Sequence, residues 1–126
     1  MRKRPGKARC QGAAVPFVTF WRHAIGKLVA IYKKPQDPAA FDKHYFFTHV
    51  PMAKKISGLR SYEVSAGPVA LATGESPYHL VASLAFDSMA ALQPALGSPE
   101  GQAAAGDLAN FAQAGVELLV FNTKLV

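Results

Sequence analysis

The chain has 126 residues, of which half are hydrophobic and 17% are charged, as is ordinary for one globular domain with a possible tail. Six of its 14 basic residues and none of its eight acidic residues fall in residues 1–26, so the net charge of +6 belongs to that leader. Residues 27–126 are electrically balanced, which argues against a nucleic-acid partner for the domain. No apolar run approaches the roughly 18 residues that span a bilayer, which argues against a membrane protein.

The leader, residues 1–26, is predicted to be a basic, loosely ordered extension. If it docks on the domain, its three large aromatic side chains are the expected anchors, since such groups rarely stay in water; they are Phe17, Phe20 and Trp21. A signal peptide and a nucleic-acid-binding arm are the alternatives, although the apolar part contains a proline and lacks a small-residue cleavage motif. The single cysteine, Cys10, permits no internal disulfide, so we expect a cytoplasmic protein.

The domain, residues 27–126, begins with a predicted strand at Lys27–Lys33, which is rich in Val, Ile and Tyr and apolar on both sides. A predicted helix follows from Pro38 to His49. Asp37 is a favourable N-cap for this helix, and a proline suits its first position. Strand and helix together indicate the first half of an α+β domain.

The first helix should bury one face and bend near its end. Pro51 disfavours helical geometry at the preceding residue, Val50, so the bend is expected there. Two adjacent phenylalanines, Phe46 and Phe47, lie off this buried face. They should point to solvent and form a contact surface for the leader or a partner chain. Spacings of 4, 3 and 4 define the buried face, whose residues are Phe41, Tyr45, Thr48 and Met52.

The rest of the chain predicts three more strands and a helix in two pieces. The order strand, helix, strand, strand, helix, strand is that of a ferredoxin-like α+β sandwich with a four-stranded antiparallel sheet. Its helices cover one face only, yet the strands are apolar on both, so we expect a homodimer whose sheets enclose a barrel. The predicted strands are Leu59–Ala70, Tyr78–Phe86 and Val116–Val126, and the helical pieces are Met89–Leu96 and 98–112.

Three residues of the first helix are candidates for catalysis. His49, next to the bend, is a candidate general base, the alternative being a hydrogen bond to a freed backbone carbonyl. His44 flanks the apolar face and could equally be solvated. Tyr45 could orient substrate or simply pack in the core. The two histidines lie about 140° apart around a regular helix, so they should not bind one ion, and no metal site is predicted.

Polar residues on the strands are candidates for binding a substrate. A few polar groups among apolar walls are typical of a small-ligand pocket. We predict that they face away from the helices, into the barrel, although a shift of one residue would reverse the face. These residues are Tyr32, Glu63, His79 and Ser83.

Four stretches of the sequence carry a family resemblance: KLVAIYKKPQDPAAFDKHY, THVPMAKKI-x-GLRSYEV, FDSMAAL and SPEGQAAAGDLANFA. Together they resemble the EthD family, named for ethyl tert-butyl ether degradation, within the dimeric α/β barrel superfamily. The resemblance implies a ferredoxin-like protomer, a homodimer, and a pocket between sheet and helices. It also implies kinship with cofactor-free monooxygenases, cyclases and isomerases. His44, Tyr45, His49 and Pro51 fall on the family's His-Tyr-x-x-x-His-x-Pro positions, whereas His79 matches no signature position.

Two hypotheses follow for the function. The first is an oxidoreductase of the monooxygenase kind, or an isomerase or cyclase, that acts on a small hydrophobic organic ligand in ether, xenobiotic or aromatic catabolism. It would need no cofactor, and His49 would be its acid or base. The second is a non-catalytic accessory protein that binds and shields a hydrophobic intermediate.

Overall fold

A computed structural model describes residues 25–126. Its main sheet is antiparallel, with the strands in the spatial order Leu59–Val64, Tyr78–Phe86, Gly26–Lys33 and Val116–Asn122, and a separate short hairpin connects the first two of these. This order with its two helical crossovers is the predicted ferredoxin-like α+β fold. The strands are β1 Gly26–Lys33, β2 Leu59–Val64, β3 Ala70–Leu71, β4 Gly74–Glu75, β5 Tyr78–Phe86 and β6 Val116–Asn122.

The helices begin where the sequence supplies caps. The side chains of Asp37, Ser88 and Ser98 each accept a hydrogen bond of 3.1 Å from the backbone N–H three residues later. Each bond satisfies one of the amides that a helix start leaves without a partner. The helical elements are α1 Pro38–His44, a π-helical segment Tyr45–His49, α2 Val50–Ala53, α3 Met89–Gly97 and α4 Pro99–Phe111.

The core lies between the helices and one face of the sheet. An aromatic cluster occupies one end of it, where the Tyr32 ring lies 5.4 to 5.6 Å from the rings of Phe41, Tyr45 and Phe111. Burying rings of this size supplies much of the hydrophobic stabilisation of a small domain. Other buried core residues are Ala30, Leu80, Ala82, Leu84, Phe86 and Leu92.

Gly101 allows α4 to begin directly against the end of α3. A Cβ atom at this position would overlap the backbone carbonyl oxygens of Ala95 and Leu96, so no other residue fits without moving one helix. The Ser98 cap lies between the two helices and fixes where one ends and the other starts.

Two predicted strands are shorter than expected. β2 ends at Val64, because Gly67 has a φ of 78° that turns the chain into the hairpin. β6 ends at Asn122 rather than Val126. The predictions for the leader lie outside the described residues except at its end, where β1 already begins at Gly26. No helix among residues 25–126 is long and apolar enough to cross a membrane.

Candidate active site

The first helix is distorted one turn earlier than the sequence predicts. The N–H of Val50 donates to the carbonyl of Tyr45, five residues back, and Val50 itself keeps α-helical angles of −59° and −48°. The predicted bend at Val50 is therefore wrong. Pro51 has no amide hydrogen and could not make the α-helical bond to Phe47, so a wider turn costs less here than elsewhere.

The extra residue in this turn changes which side chains are buried. His49 and Ala53 lie in the interior, whereas Thr48 is exposed and Met52 is only partly buried, which corrects the predicted helix face. In a π-helical turn, residues five apart become neighbours, as residues four apart are in an α-helix. His44 and His49 therefore come together, contrary to the expected separation of about 140°.

Both histidines contact one carboxylate, that of Asp107 on α4. His44 Nε2 lies 3.0 Å from both Oδ1 and Oδ2, and His49 Nδ1 lies 3.0 Å from Oδ2. Asn110 Nδ2 donates to Oδ1 at 2.9 Å. Asp107 is 4% exposed, and three polar side chains satisfy its charge, as a buried carboxylate requires.

Asp107 was not predicted as a site residue from the sequence, although a signal was present. Asp107 follows Ala104 by three residues and precedes Phe111 by four, so it lies on the buried face of α4. A lone acidic residue on such a face needs a buried partner. Only the π-helical turn reveals that both histidines supply it.

The environment moves the pKa values of this group in the direction of a neutral base and an ionised acid. Burial lowers the pKa of His49, although its bond to Asp107 acts in the opposite direction. Burial alone would raise the pKa of Asp107. Hydrogen bonds from Asn110, His44 and His49 outweigh that effect, and the pKa of this carboxyl is lowered.

His49 also lines a cavity of about 200 Å³ between the sheet and the helices. Within residues 25–126, Asp107 is the hydrogen-bonding partner of its Nδ1, and no side chain or backbone group is bonded to its Nε2. Two tyrosines, Tyr32 and Tyr62, are the other polar groups of the wall. Aliphatic lining residues include Leu28, Ala30, Ala82, Leu84, Leu108 and Val120.

A pair of tyrosines flanks His49. The Tyr45 ring stacks on the His49 ring at 5.4 Å, and its hydroxyl lies 2.7 Å from the hydroxyl of Tyr62. Burial raises the pKa of both phenols, so both stay protonated. Tyr45 was predicted from the sequence, whereas Tyr62 was not, because it lies on β2 among alternating polar residues and carries no distinctive motif.

Two of the four predicted substrate-binding residues lie on the wrong face. Tyr32 was expected to face away from the helices, but it is 2% exposed, packs against them, and lines the cavity. His79 sits where the register of β1 and β5 shifts, and its Nε2 lies 2.8 Å from Asp42 Oδ1 on α1. It is not among the residues that line the cavity with His49.

The other two do lie on the far face of the sheet, and therefore outside the cavity. Glu63 pairs with Ser83 across β2 and β5, one residue along from the cavity-lining pair Tyr62 and Leu84. Ser83 Oγ accepts a hydrogen bond of 3.1 Å from Lys27 Nζ on the same face.

Two further observations complete the site. Among residues 25–126, no group of three or more His, Cys, Asp or Glu is arranged to hold a metal ion. Phe46 and Phe47 are 44% and 78% exposed, as the helix pattern predicts.

Comparison with known proteins identifies the family. The EthD domain model matches residues 33–115, which is more than half of the chain. The chain belongs to the EthD family. An uncharacterised 11.0 kDa protein from the thcB-thcC intergenic region of Rhodococcus erythropolis is 40% identical over 101 residues, which cover 79% of this chain and 96% of that protein.

Solved structures agree with this EthD assignment. An EthD family protein of Bacillus halodurans is 38% identical with a TM-score of 0.71, over 76% of this chain and 95% of that one. SnoaB, a cofactor-independent oxygenase from Streptomyces nogalater, shares the fold at 14% identity and a TM-score of 0.59, over 82% and 96%. So does a dimeric ferredoxin-like protein of unknown function from Bacteroides fragilis, at 17% and 0.57, over 79% and 96%.

Proposed function

We propose that this EthD family protein is a cofactor-independent enzyme of small-molecule catabolism in which His49 transfers a proton to or from an apolar organic substrate. One observation carries the proposal. His49 is buried beside an apolar cavity, with one ring nitrogen held by Asp107 and the other bonded to no group among residues 25–126. A histidine placed in this way has a lone pair available where a substrate would lie.

Asp107 fixes which nitrogen is the base. An ionised carboxylate accepts a hydrogen bond, so Nδ1 of His49 must carry the proton, and Nε2 keeps its lone pair. His44 contacts both oxygens of the same carboxylate and Asn110 donates to Oδ1, and these contacts restrict its rotation. The lowered pKa of His49 keeps the ring neutral near pH 7, in the state that accepts a proton.

Removal of a proton from carbon is the first step of isomerisation and of oxidation by O₂ without a cofactor. Both reactions need a base in a dry site and little else from the protein. SnoaB, which shares the fold, is a cofactor-independent oxygenase, and this supports oxidation as one of the two. Tyr32 and Tyr62 offer hydroxyl groups that can orient an oxygen of the substrate.

The experiment compares the wild type with His49→Gln on a panel of small apolar ketones, lactones and hydroquinones. O₂ uptake and product chromatography detect the two reactions. We expect kcat to fall by about 10²–10⁴ in His49→Gln, the usual contribution of a general base, while ligand affinity is retained. His79→Gln is the matched control and should keep its activity. Unchanged turnover by His49→Gln, with ligand still bound, would refute the proposal.

The second candidate is a binding protein that shields a hydrophobic intermediate. The mostly aliphatic wall of the cavity favours it, because such a wall binds apolar compounds without any chemistry. The same panel separates the two candidates. A binding protein would release every bound compound unchanged, as mass spectrometry after incubation would show, and His49→Gln would alter affinity rather than products.

We further propose a homodimer formed by the far face of the sheet, working in the cytoplasm. The Bacteroides fragilis neighbour is dimeric, and the lone Cys10 permits no internal disulfide. A monomer in sedimentation at micromolar concentration would contradict the dimer. The strand pairing places a set of apolar side chains on this far face, and the most exposed of them belong to β6. These side chains are Val29, Ile31, Val81, Leu119 and Phe121.

A further inference from the structure

The hydrogen bond between Tyr45 and Tyr62 has a direction that the surroundings determine. Tyr45 is fully buried, and among residues 25–126 its hydroxyl has one partner, the hydroxyl of Tyr62. If Tyr62 were the donor, the proton of Tyr45 would have no acceptor, and a buried donor without an acceptor is strongly disfavoured. Tyr45 therefore donates, and Tyr62 accepts.

The proton of Tyr62 is consequently available to a ligand. Tyr62 lines the cavity that His49 also lines, whereas Tyr45 stands behind both, stacked on the His49 ring. The buried Tyr45 thus fixes the positions of both His49 and Tyr62. A phenol that is oriented by a donor at its oxygen is a better donor itself, because such bonds polarise one another.

We propose that Tyr62 donates a hydrogen bond to a developing oxyanion, and that the substrate is an apolar carbonyl compound with an acidic C–H beside its carbonyl. This inference rests on the proposed role of His49 as the base. A carbonyl oxygen is the group that needs a donor when such a proton leaves, and the aliphatic wall of the cavity accepts the remaining hydrocarbon part.

The step balances without any further group. His49 Nε2 takes the proton from carbon, the C–H electron pair forms a C=C bond, and the carbonyl π pair moves to oxygen as an enolate. Tyr62 stabilises this oxygen without losing its own proton, since burial raises the pKa of its phenol. In isomerisation, His49 returns the proton to another carbon. In oxidation, O₂ is the oxidant: the enolate carbon bonds to it, and His49 returns the proton to the terminal oxygen of the hydroperoxide.

Binding of 4-nitrophenolate tests the donor without any turnover, because its oxygen mimics the enolate. Calorimetry above the pKa of the probe gives its Kd, and toluene serves as the uncharged ring of similar shape. We expect Tyr62→Phe to weaken nitrophenolate binding about tenfold or more and to change toluene binding by less than about twofold. Tyr45→Phe should cause a smaller loss, since it removes only the orienting bond. Circular dichroism checks that each variant is folded.

Nitrophenolate binding by Tyr62→Phe at the affinity of the wild type would overturn the inference, and so would failure of the wild type to bind the probe. His49→Gln should retain most of the affinity; if it alone loses the anion, His49 is the oxyanion partner and the assignment of Tyr62 is wrong. These outcomes are separate from the test of the base. His49→Gln that keeps full turnover refutes the proposed function and leaves the nitrophenolate result for Tyr62 unaffected.

Discussion

Two carboxylates of this fold contact histidines at nearly the same distance but in very different surroundings. Asp107 on α4 lies 3.0 Å from His44 and from His49, and Asp42 on α1 lies 2.8 Å from His79. The Asp107 side chain is 3% exposed, whereas that of Asp42 is 50% exposed. The first carboxylate depends on its partners for solvation, while water can solvate the second when its partner leaves.

This difference explains why only one of the two carboxylates adjoins a candidate active site. Water screens the charge of Asp42, so the electrostatic attraction between Asp42 and His79 is weak. Asp107 acts in a medium that screens little and receives hydrogen bonds from three side chains, so it holds His49 in one orientation and one tautomer. Burial and the number of partners, rather than the distance, separate a positioning carboxylate from a surface contact.

The largest expected effect is on stability. Asp107→Ala leaves the ring N–H of the buried His49 without an acceptor, and it also removes the acceptor of the partly exposed His44 and the exposed Asn110. We expect the free energy of unfolding to fall by about 3 kcal/mol, as when a buried polar pair loses one member. Urea denaturation of wild type and variant measures this difference.

Asp42→Ala is the matched control on the exposed pair. We expect a change within about 0.5 kcal/mol, because water replaces the lost contact and alanine suits a helix. Equal losses for Asp107→Ala and Asp42→Ala would show that burial does not distinguish the two carboxylates.

A smaller effect should appear in the coupling between partners. A double-mutant cycle of His44→Ala and Asp107→Ala isolates their interaction from the other losses. We expect a coupling of about 1.5 kcal/mol, typical of a hydrogen bond to a charged group. The cycle of His79→Ala and Asp42→Ala should give less than about 0.5 kcal/mol. A larger coupling in the second cycle would reverse the comparison.

The sequence was sufficient to predict the fold, because each element has its own local signal. Strands alternate or are apolar throughout, Asp37 caps the first helix as expected, and the serines Ser88 and Ser98 cap the later ones. The predicted strand at Tyr78–Phe86 has the observed bounds. Topology follows from the order of the elements, since a ferredoxin-like sheet is the simplest arrangement for that order.

The arrangement of the site could not be predicted in the same way, because it depends on a change of register. An α-helical spacing of 100° per residue places Thr48 inside and separates His44 from His49. One residue accommodated in the π-helical turn reverses both statements. Similarly, the register shift at Lys33 places His79 on the helix side of the sheet, and only tertiary contacts show it.

The smallest expected effect is a pH dependence of the free energy of unfolding that comes from the buried pair His49 and Asp107. His49 has a pKa below its ordinary 6.5 in the folded state because burial disfavours its charge, so just below that pH the unfolded chain binds more protons than the folded one. The free energy of unfolding must then decrease as the pH falls through this range. Asp107 has a pKa below its ordinary 3.8 in the folded state, so at lower pH the unfolded chain again binds more protons, and the free energy of unfolding decreases a second time.

Urea midpoints across the acid range measure both decreases. His49→Gln should lose the upper decrease and His79→Gln should keep it; an upper decrease that survives in His49→Gln would mean that another group titrates there and that the buried pair does not control acid stability.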